Sequence, residues 1–207
     1  MARRFLSDET TTAIRDAISA IEARSSAELV VSVRARSAVY LHADILVGII
    51  AGLAALAFLL FSPYPFALHW FLVDPVLVGG LVGLFASRLP PVCRALTPRS
   101  VQSSRVRAAA GALFVEKGVH HTGERTGILV YVSLLERRAV LVPDAGVERE
   151  VPRREWRAVV AAIDRSVAEG GDGADLAAAL TPLGDLLALH LPRRAGDINE
   201  LADEVDA

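Results

Sequence analysis

ILVGIIAGLAALAFLLF, residues 45–61, runs for 17 positions without one charged or hydrogen-bonding side chain. Counted back past Asp44 to Leu41, the stretch reaches about 20 residues, the length that crosses roughly 30 Å of hydrocarbon at 1.5 Å per residue. It is followed by Ser62-Pro63-Tyr64-Pro65, whose prolines stop a helix and whose tyrosine suits the headgroup level, and then by a second apolar run over 66–87. The reading is a two-helix transmembrane hairpin over 41–88, with spans at about 41–61 and 66–87. In the second span Asp74-Pro75 has two placements. Either Asp74 caps a helix that begins at Pro75, which is favoured, or it faces the partner helix as a functional carboxylate.

The flanks orient the hairpin. Arg34 and Arg36 precede it, Arg88, Arg94, Arg99, Arg105 and Arg107 follow it, and the connection between the spans holds no lysine or arginine. The positive-inside rule then places both termini in the cytoplasm of a multi-pass protein of the cell inner membrane. Nothing at the N-terminus has the apolar core of a cleaved secretory signal. Small-xxx-small pairs, Gly48 with Gly52 and Gly79 with Gly83, suit close helix approach in lipid and offer a route to another membrane protein or to self-association.

The whole chain has a mean hydropathy of +0.41. Its 207 residues are 53% hydrophobic, and the single cysteine, Cys93, leaves no internal disulfide possible. That composition excludes disordered, collagen-like and disulfide-scaffold classes. A net charge of -2 gives no support to nucleic-acid binding.

Outside the hairpin the periodicities alternate between helix and strand. Ser7 with Asp8 and Glu9 reads as a helix start, with Leu6 positioned to staple it and Ile14, Ile18 and Ile21 on one face. Residues 27–34 read as a strand. After the hairpin come a helix capped by Ser103 or Ser104 and ending near Gly118, strands over 128–134 and 138–142 that read as a β-hairpin turning around Glu136-Arg137, a helix starting at Pro152 with Trp156 in its apolar stripe, and a last helix after Asp172 that kinks near Pro182. One strand in residues 1–37 cannot form a sheet by itself, so that segment must pack onto 100–192. The expected fold is α/β: a small sandwich of a short central sheet with flanking helices, interrupted by its own membrane hairpin, and ending in an acidic, disordered tail at 193–207.

The ordered set of Ala27-Glu28-Leu29-Val30-Val31, Thr126-Gly127-Ile128-Leu129-Val130-Tyr131-Val132-Ser133, Glu136-Arg137 and Asp144-Ala145-Gly146-Val147 resembles the TPM domain family. The family takes its name from a thylakoid lumen protein, a photosystem II repair protein and a modulator of an acetylcholine receptor. The His121 to Gly127 lead-in, the Val151 to Trp156 helix start and Asn199-Glu200-Leu201 look closest to membrane-anchored bacterial members. The resemblance implies a central sheet flanked by helices and divalent-cation binding, such as calcium, in some members. It also implies acid phosphatase activity for a plant member and assembly, repair or modulator roles for others. By that resemblance Asp144 and Glu148 are the candidate metal ligands, although the further glycines and acid usual after this strand in soluble members are missing.

Three other patterns carry possible chemistry. Cys93 and Arg99 have the C-x5-R spacing of cysteine phosphatases but lack the glycine-rich phosphate cradle, so the match is discounted. Glu116 and His120, with His121 adjacent, have i, i+4 ligand spacing interrupted by Gly118. Glu136 with Arg137 and Arg138 reads as solvated turn charge rather than a phosphate clamp. With no complete catalytic constellation, the expected function is a non-catalytic assembly, repair or interaction factor at the membrane. The alternative is a divalent-metal-dependent phosphatase using acids near Asp144.

Overall fold

The computed structural model describes Phe5, residues 7–86 and 88–194, Leu201, and Val205 and Asp206. The chain forms two compact units: residues 1–37 together with 103–207, and residues 38–102.

The first unit is α/β. Helix α1, Asp8–Glu22, starts where the Ser7 hydroxyl accepts the Thr10 N–H, with Asp8 and Glu9 at the positive end of its dipole. Leu6, the expected staple, lies outside the described residues. Strand β1, Glu28–Arg34, pairs in parallel with β2, Gly127–Ser133, in the register Glu28↔Gly127 to Arg34↔Ser133. From β2 the chain turns directly into β3, Arg138–Pro143, which runs antiparallel with Ile128 opposite Pro143. With Val205–Asp206 as β4, the sheet order is β3-β2-β1-β4.

Alternation along the central strands feeds two layers. Leu29, Val31, Val33, Ile128, Val130 and Val132 face one core, shared with Ile14 and Ile18 of α1, Ile163 and Val167 of α7 (Arg153–Ala168), and Leu176, Leu180, Leu183 and Leu187 of α8 (Gly173–His190). Val30, Leu129 and Tyr131 face the other, against Val106, Ala110 and Leu113 of α5 (Arg99–Glu116). Helix α8 begins with a reciprocal capping box between Asp172 and Asp175 and continues through Pro182.

Two expectations about this unit are corrected. Helix α5 begins at Arg99 rather than at Ser103 or Ser104, because the Pro98 carbonyl already accepts the Gln102 N–H and the Ser103 hydroxyl accepts from Arg138 instead. The acidic end is not wholly without structure: Val205–Asp206 forms β4 parallel to β1 at Val31 and Ser32, and the Leu201 N–H donates to Glu28. Residues 195–200, 202–204 and 207 lie outside the described residues.

The second unit is dominated by helices α2, Leu41–Phe61, and α3, Trp70–Ala86, followed by the short α4, Pro90–Leu96. Among the described residues α2 alone is long and apolar enough to cross a membrane by length and composition, with a mean hydropathy of 2.5 and little of its length buried. Helix α3 has 17 residues and contains both Asp74 and Pro75 in its interior. The expected Asp74 cap is therefore corrected: turns at 67–73 start the helix upstream, leaving Asp74 a full turn inside it.

Gly48, Gly52, Gly79 and Gly83 are used within the chain. A Cβ on Gly48 would lie 2.7 Å from the Gly79 carbonyl oxygen, one on Gly52 2.7 Å from that of Pro75, and one on Gly83 2.9 Å from that of Asp44. The partner position falls as the position on α2 rises, so the helices are antiparallel, and the face expected to receive a partner is filled by the other helix. Gly79→Val therefore forces the backbones apart, and overpacking of this kind costs about 1–3 kcal/mol. Thermal melts in detergent followed by circular dichroism should show a lowered midpoint for Gly79→Val and none for Gly80→Val, which meets nothing within 4 Å.

Candidate functional site

Asp144 follows β3, and because β3 is antiparallel its last residue returns to the beginning of β2, where the Asp144 N–H donates to the Gly127 carbonyl at 2.9 Å. It thus lies opposite the C-terminal ends of β1 and β2, the end at which open α/β sheets tend to place ligands. Its side chain is 4% exposed and its oxygens are engaged. Oδ1 accepts the Ala145 N–H at 2.7 Å, capping α6 (Ala145–Glu150), and Arg125 Nη2 at 2.9 Å, while Arg125 Nε lies 3.2 and 3.1 Å from Oδ1 and Oδ2. Burial works to raise the Asp144 pKa. The Arg125 hydrogen bonds, the Ala145 N–H and the charges of Arg125 and His120 outweigh it and hold the carboxyl below its ordinary value. The hydrogen bond to Asp144, with its charge, raises the Arg125 guanidinium in turn.

The loop that brings Arg125 here is closely fitted. Arg125 adopts a positive φ of 58°, and its carbonyl accepts the Gly146 N–H at 2.8 Å. A Cβ at Gly146 would sit 2.5 Å from the Glu124 oxygen and 2.6 Å from that of Arg125. Glycine at position 146 is thus a packing requirement of this clasp.

Glu148, the second candidate ligand, lies one turn along α6 and is exposed, and only its backbone N–H reaches Asp144, at the carbonyl oxygen. Among the described residues no three His, Cys, Asp or Glu side chains stand together as a metal-holding group. Calcium takes six to eight oxygen ligands, and a single carboxylate committed to Arg125 and a helix cap is poorly disposed to begin such a set. The Glu116 and His120 spacing is not realised on a helix. Helix α5 ends at Glu116, Gly118 turns the chain with φ 66°, and the His120 ring makes tilted contacts with Phe114, at 6.1 Å, and His121, at 4.0 Å.

At the other end of the parallel pair is Glu136, which the sequence reading takes as solvated turn charge and the structure buries. Glu136 is 3% exposed. Its Oε1 and Oε2 accept the Ser37 N–H at 3.1 and 3.4 Å, and the Ser133 hydroxyl donates to Oε2. The Tyr131 O–H donates to the Ser37 hydroxyl at 3.1 Å. Burial, set against that hydrogen bond, raises the Tyr131 pKa and keeps the phenol neutral. Glu136 is thus a buried clasp between the hairpin turn and the segment leaving β1, not solvated turn charge. Arg138 likewise is tied down, to Asp164 at 2.9 Å and to the Ser103 hydroxyl at 2.8 Å. The only sequence signal was position, since Glu136 falls three residues beyond Ser133, and that spacing is common to ordinary turns.

In the second unit, Cys93 is 4% exposed on α4 and its thiol donates to Asp44 Oδ1 at 3.8 Å and the Ala86 carbonyl at 3.6 Å. It is not held in a phosphate-binding loop. In the α/β unit two clefts of about 320 and 340 Å³ share Trp156 and Arg157; the first extends to Pro143 and Glu148, the second along β3 to Ser103. Trp156 is half-buried and packs on the main core.

These features define an α/β sandwich with an apolar helical hairpin inserted after its first strand. No family model matches the chain, and no curated protein matches it. Among solved structures the chain is similar to the NMR structure of BA42 protein from the psychrophilic bacterium Bizionia argentinensis, at 18% identity over 100% of this chain and 97% of that one, with a TM-score of 0.60. At that identity the likeness is one of fold.

The clasp makes a pH-dependent prediction. A carboxyl whose folded pKa is depressed stabilises the fold above its unfolded pKa, about 3.9, and that contribution is lost as pH falls through the folded value. Asp144→Ala should lower stability at pH 7 by about 1 kcal/mol, the usual cost of an N-cap carboxylate. Urea titrations should show the gap to wild type narrowing below pH 4.

Proposed function

We propose that this chain is a TPM-type α/β domain held at the inner membrane by its own inserted hairpin, with both termini cytoplasmic, and that it acts without catalysis in the assembly, repair or association of other proteins there. The observation that carries the reading is the outward-facing apolar surface of α2 and α3. Leu53, Phe58, Phe61, Leu72, Val76 and Leu84 are each more than half exposed, and water would not tolerate so much contiguous apolar area on a monomer. A bilayer removes that cost. Helix α2 spans about 32 Å at 1.5 Å per residue, and the antiparallel α3, at about 25 Å, brings the chain back with modest local thinning of the bilayer.

The arginine-free connection at 62–69 and the arginines on both flanks support the orientation. The non-catalytic role is supported by how the reactive groups are employed: Asp144 holds Arg125 and caps a helix, Glu136 holds Ser37, and the Cys93 thiol is buried beside Asp44.

Two measurements test this. With Cys93 replaced by serine, Tyr64→Cys should react with an impermeant maleimide added to intact cells, and labelling confined to permeabilised cells would reverse the topology. Purified full-length protein in lipid nanodiscs should not hydrolyse p-nitrophenyl phosphate with calcium or magnesium present. Turnover that Asp144→Ala abolishes would replace the association role with a metal-dependent phosphatase.

A further inference from the structure

We infer that the outer edge of β3, in the slot between α5 and α7, is a docking site for an extended, acidic segment of a partner polypeptide, which adds to the sheet as a further strand. The inference rests on the association role proposed above and assigns it a surface.

The first support is the backbone. Strand β3 stands at one end of the sheet order. The Asp144 N–H pairs with Gly127, and Leu129 stands opposite Val142, so even-numbered residues of β3 turn their backbone toward β2 and residues 139, 141 and 143 turn theirs outward. Two of those three positions are closed to an incoming acceptor. The Ala139 N–H is taken by Asp164 Oδ1 at 2.9 Å, and Pro143 has no N–H. Leu141 alone presents both an N–H and a carbonyl. The guarded edge resists indiscriminate strand pairing and fixes the register of any strand that does bind.

The second support is the cleft itself. The cavity of about 340 Å³ has Ala139, Val140 and Leu141 along one side, with α5 contributing Val106 and Arg107 and α7 contributing Trp156 and Arg157. The neighbouring cavity shares Trp156 and Arg157 and continues past Pro143. An extended segment along β3 would therefore meet an apolar anchor at Trp156 midway.

Charge selects the occupant. Arg107, Arg153 and Arg157 are exposed and form no ion pair among the described residues, whereas Arg138 and Asp164 neutralise one another at 2.9 Å. Glu148 is the acid that remains along the slot. The surplus is positive and suits acidic side chains. A phosphate or lipid headgroup could meet the arginines but offers no row of N–H donors at strand spacing for the outward carbonyls of residues 139, 141 and 143, which a peptide strand supplies. A second copy of this chain paired edge to edge would bring like-charged arginines together.

The test uses the full chain in phosphatidylcholine nanodiscs and a fluorescent ten-residue peptide of alternating glutamate and valine. It is compared with a version N-methylated at alternate residues and with a lysine-for-glutamate version. The first peptide should bind by anisotropy and slow hydrogen exchange at the Leu141 amide, and the other two should not. Arg157→Glu and Arg107→Glu should each weaken binding about tenfold, the effect of one interface charge contact. Arg154→Glu, on α7 but outside both clefts, should leave it unchanged. Equal binding of the N-methylated or lysine peptide, unchanged exchange at Leu141, indifference to Arg157→Glu, or a dimer formed through β3 without peptide would each overturn the proposal. Failure of every peptide while photo-crosslinkers on α1 still capture partners would remove this site and leave the association role intact.

Discussion

The parallel pairing of β1 with β2 is the constraint on which everything else depends. Parallel neighbours cannot be joined by a tight turn, so the chain must leave the end of β1, travel, and return to the beginning of β2. Here the journey includes the whole 38–102 unit as well as α5. Because loop closure costs grow only slowly with length, a large insertion at such a crossover is thermodynamically tolerable, provided the strand ends are held. The Glu136 clasp does this at the departure point, joining Ser37 to a residue 99 positions away. The Arg125 and Asp144 pair does it at the return, fixing the loop before β2 to the end of β3.

Both clasps are made of residues that look chemical in a sequence. A carboxylate after a buried strand and an acid beside two arginines are the patterns by which metal and phosphate sites are sought. In the folded chain each is nearly saturated by hydrogen bonds that organise backbone: Asp144 through a helix cap and a guanidinium, Glu136 through an amide and a hydroxyl. Polar groups buried at that depth are stable only when so partnered, and the partnership that makes them structural leaves fewer lone pairs for a ligand.

The glycines of the hairpin show the same economy. Their spacing is a general device for bringing helices together in lipid, and it says that some helix will approach without saying which. The connection at 62–69 keeps α3 beside α2, so the contact closes within the chain. In the α/β unit the edge of β3 brings outward-facing backbone, the Trp156 ring and the exposed Arg107 and Arg157 together.

Sequence periodicity by itself determined the element types: the alternation at 28–34, the continuous β-favouring run at 127–133, the apolar stripes of α1, α7 and α8, the Asp172 helix start and the apolar run of α2. These follow from local geometry, in which side-chain spacing and backbone period must agree. Tertiary structure alone decided the rest. The β2–β3 hairpin is legible in the sequence, but that Asp144 at its end meets Arg125 depends on how the loop before β2 is placed. That Glu136 is buried depends on Ser37 arriving from far along the chain. That α3 begins before Asp74 and α5 before Ser103 depends on turns and a proline carbonyl that take the first helical N–H groups. Hydrogen-bond partners are chosen in three dimensions among groups that sequence distance does not relate. The identity of a buried carboxylate can therefore be read from a sequence, but what it holds cannot.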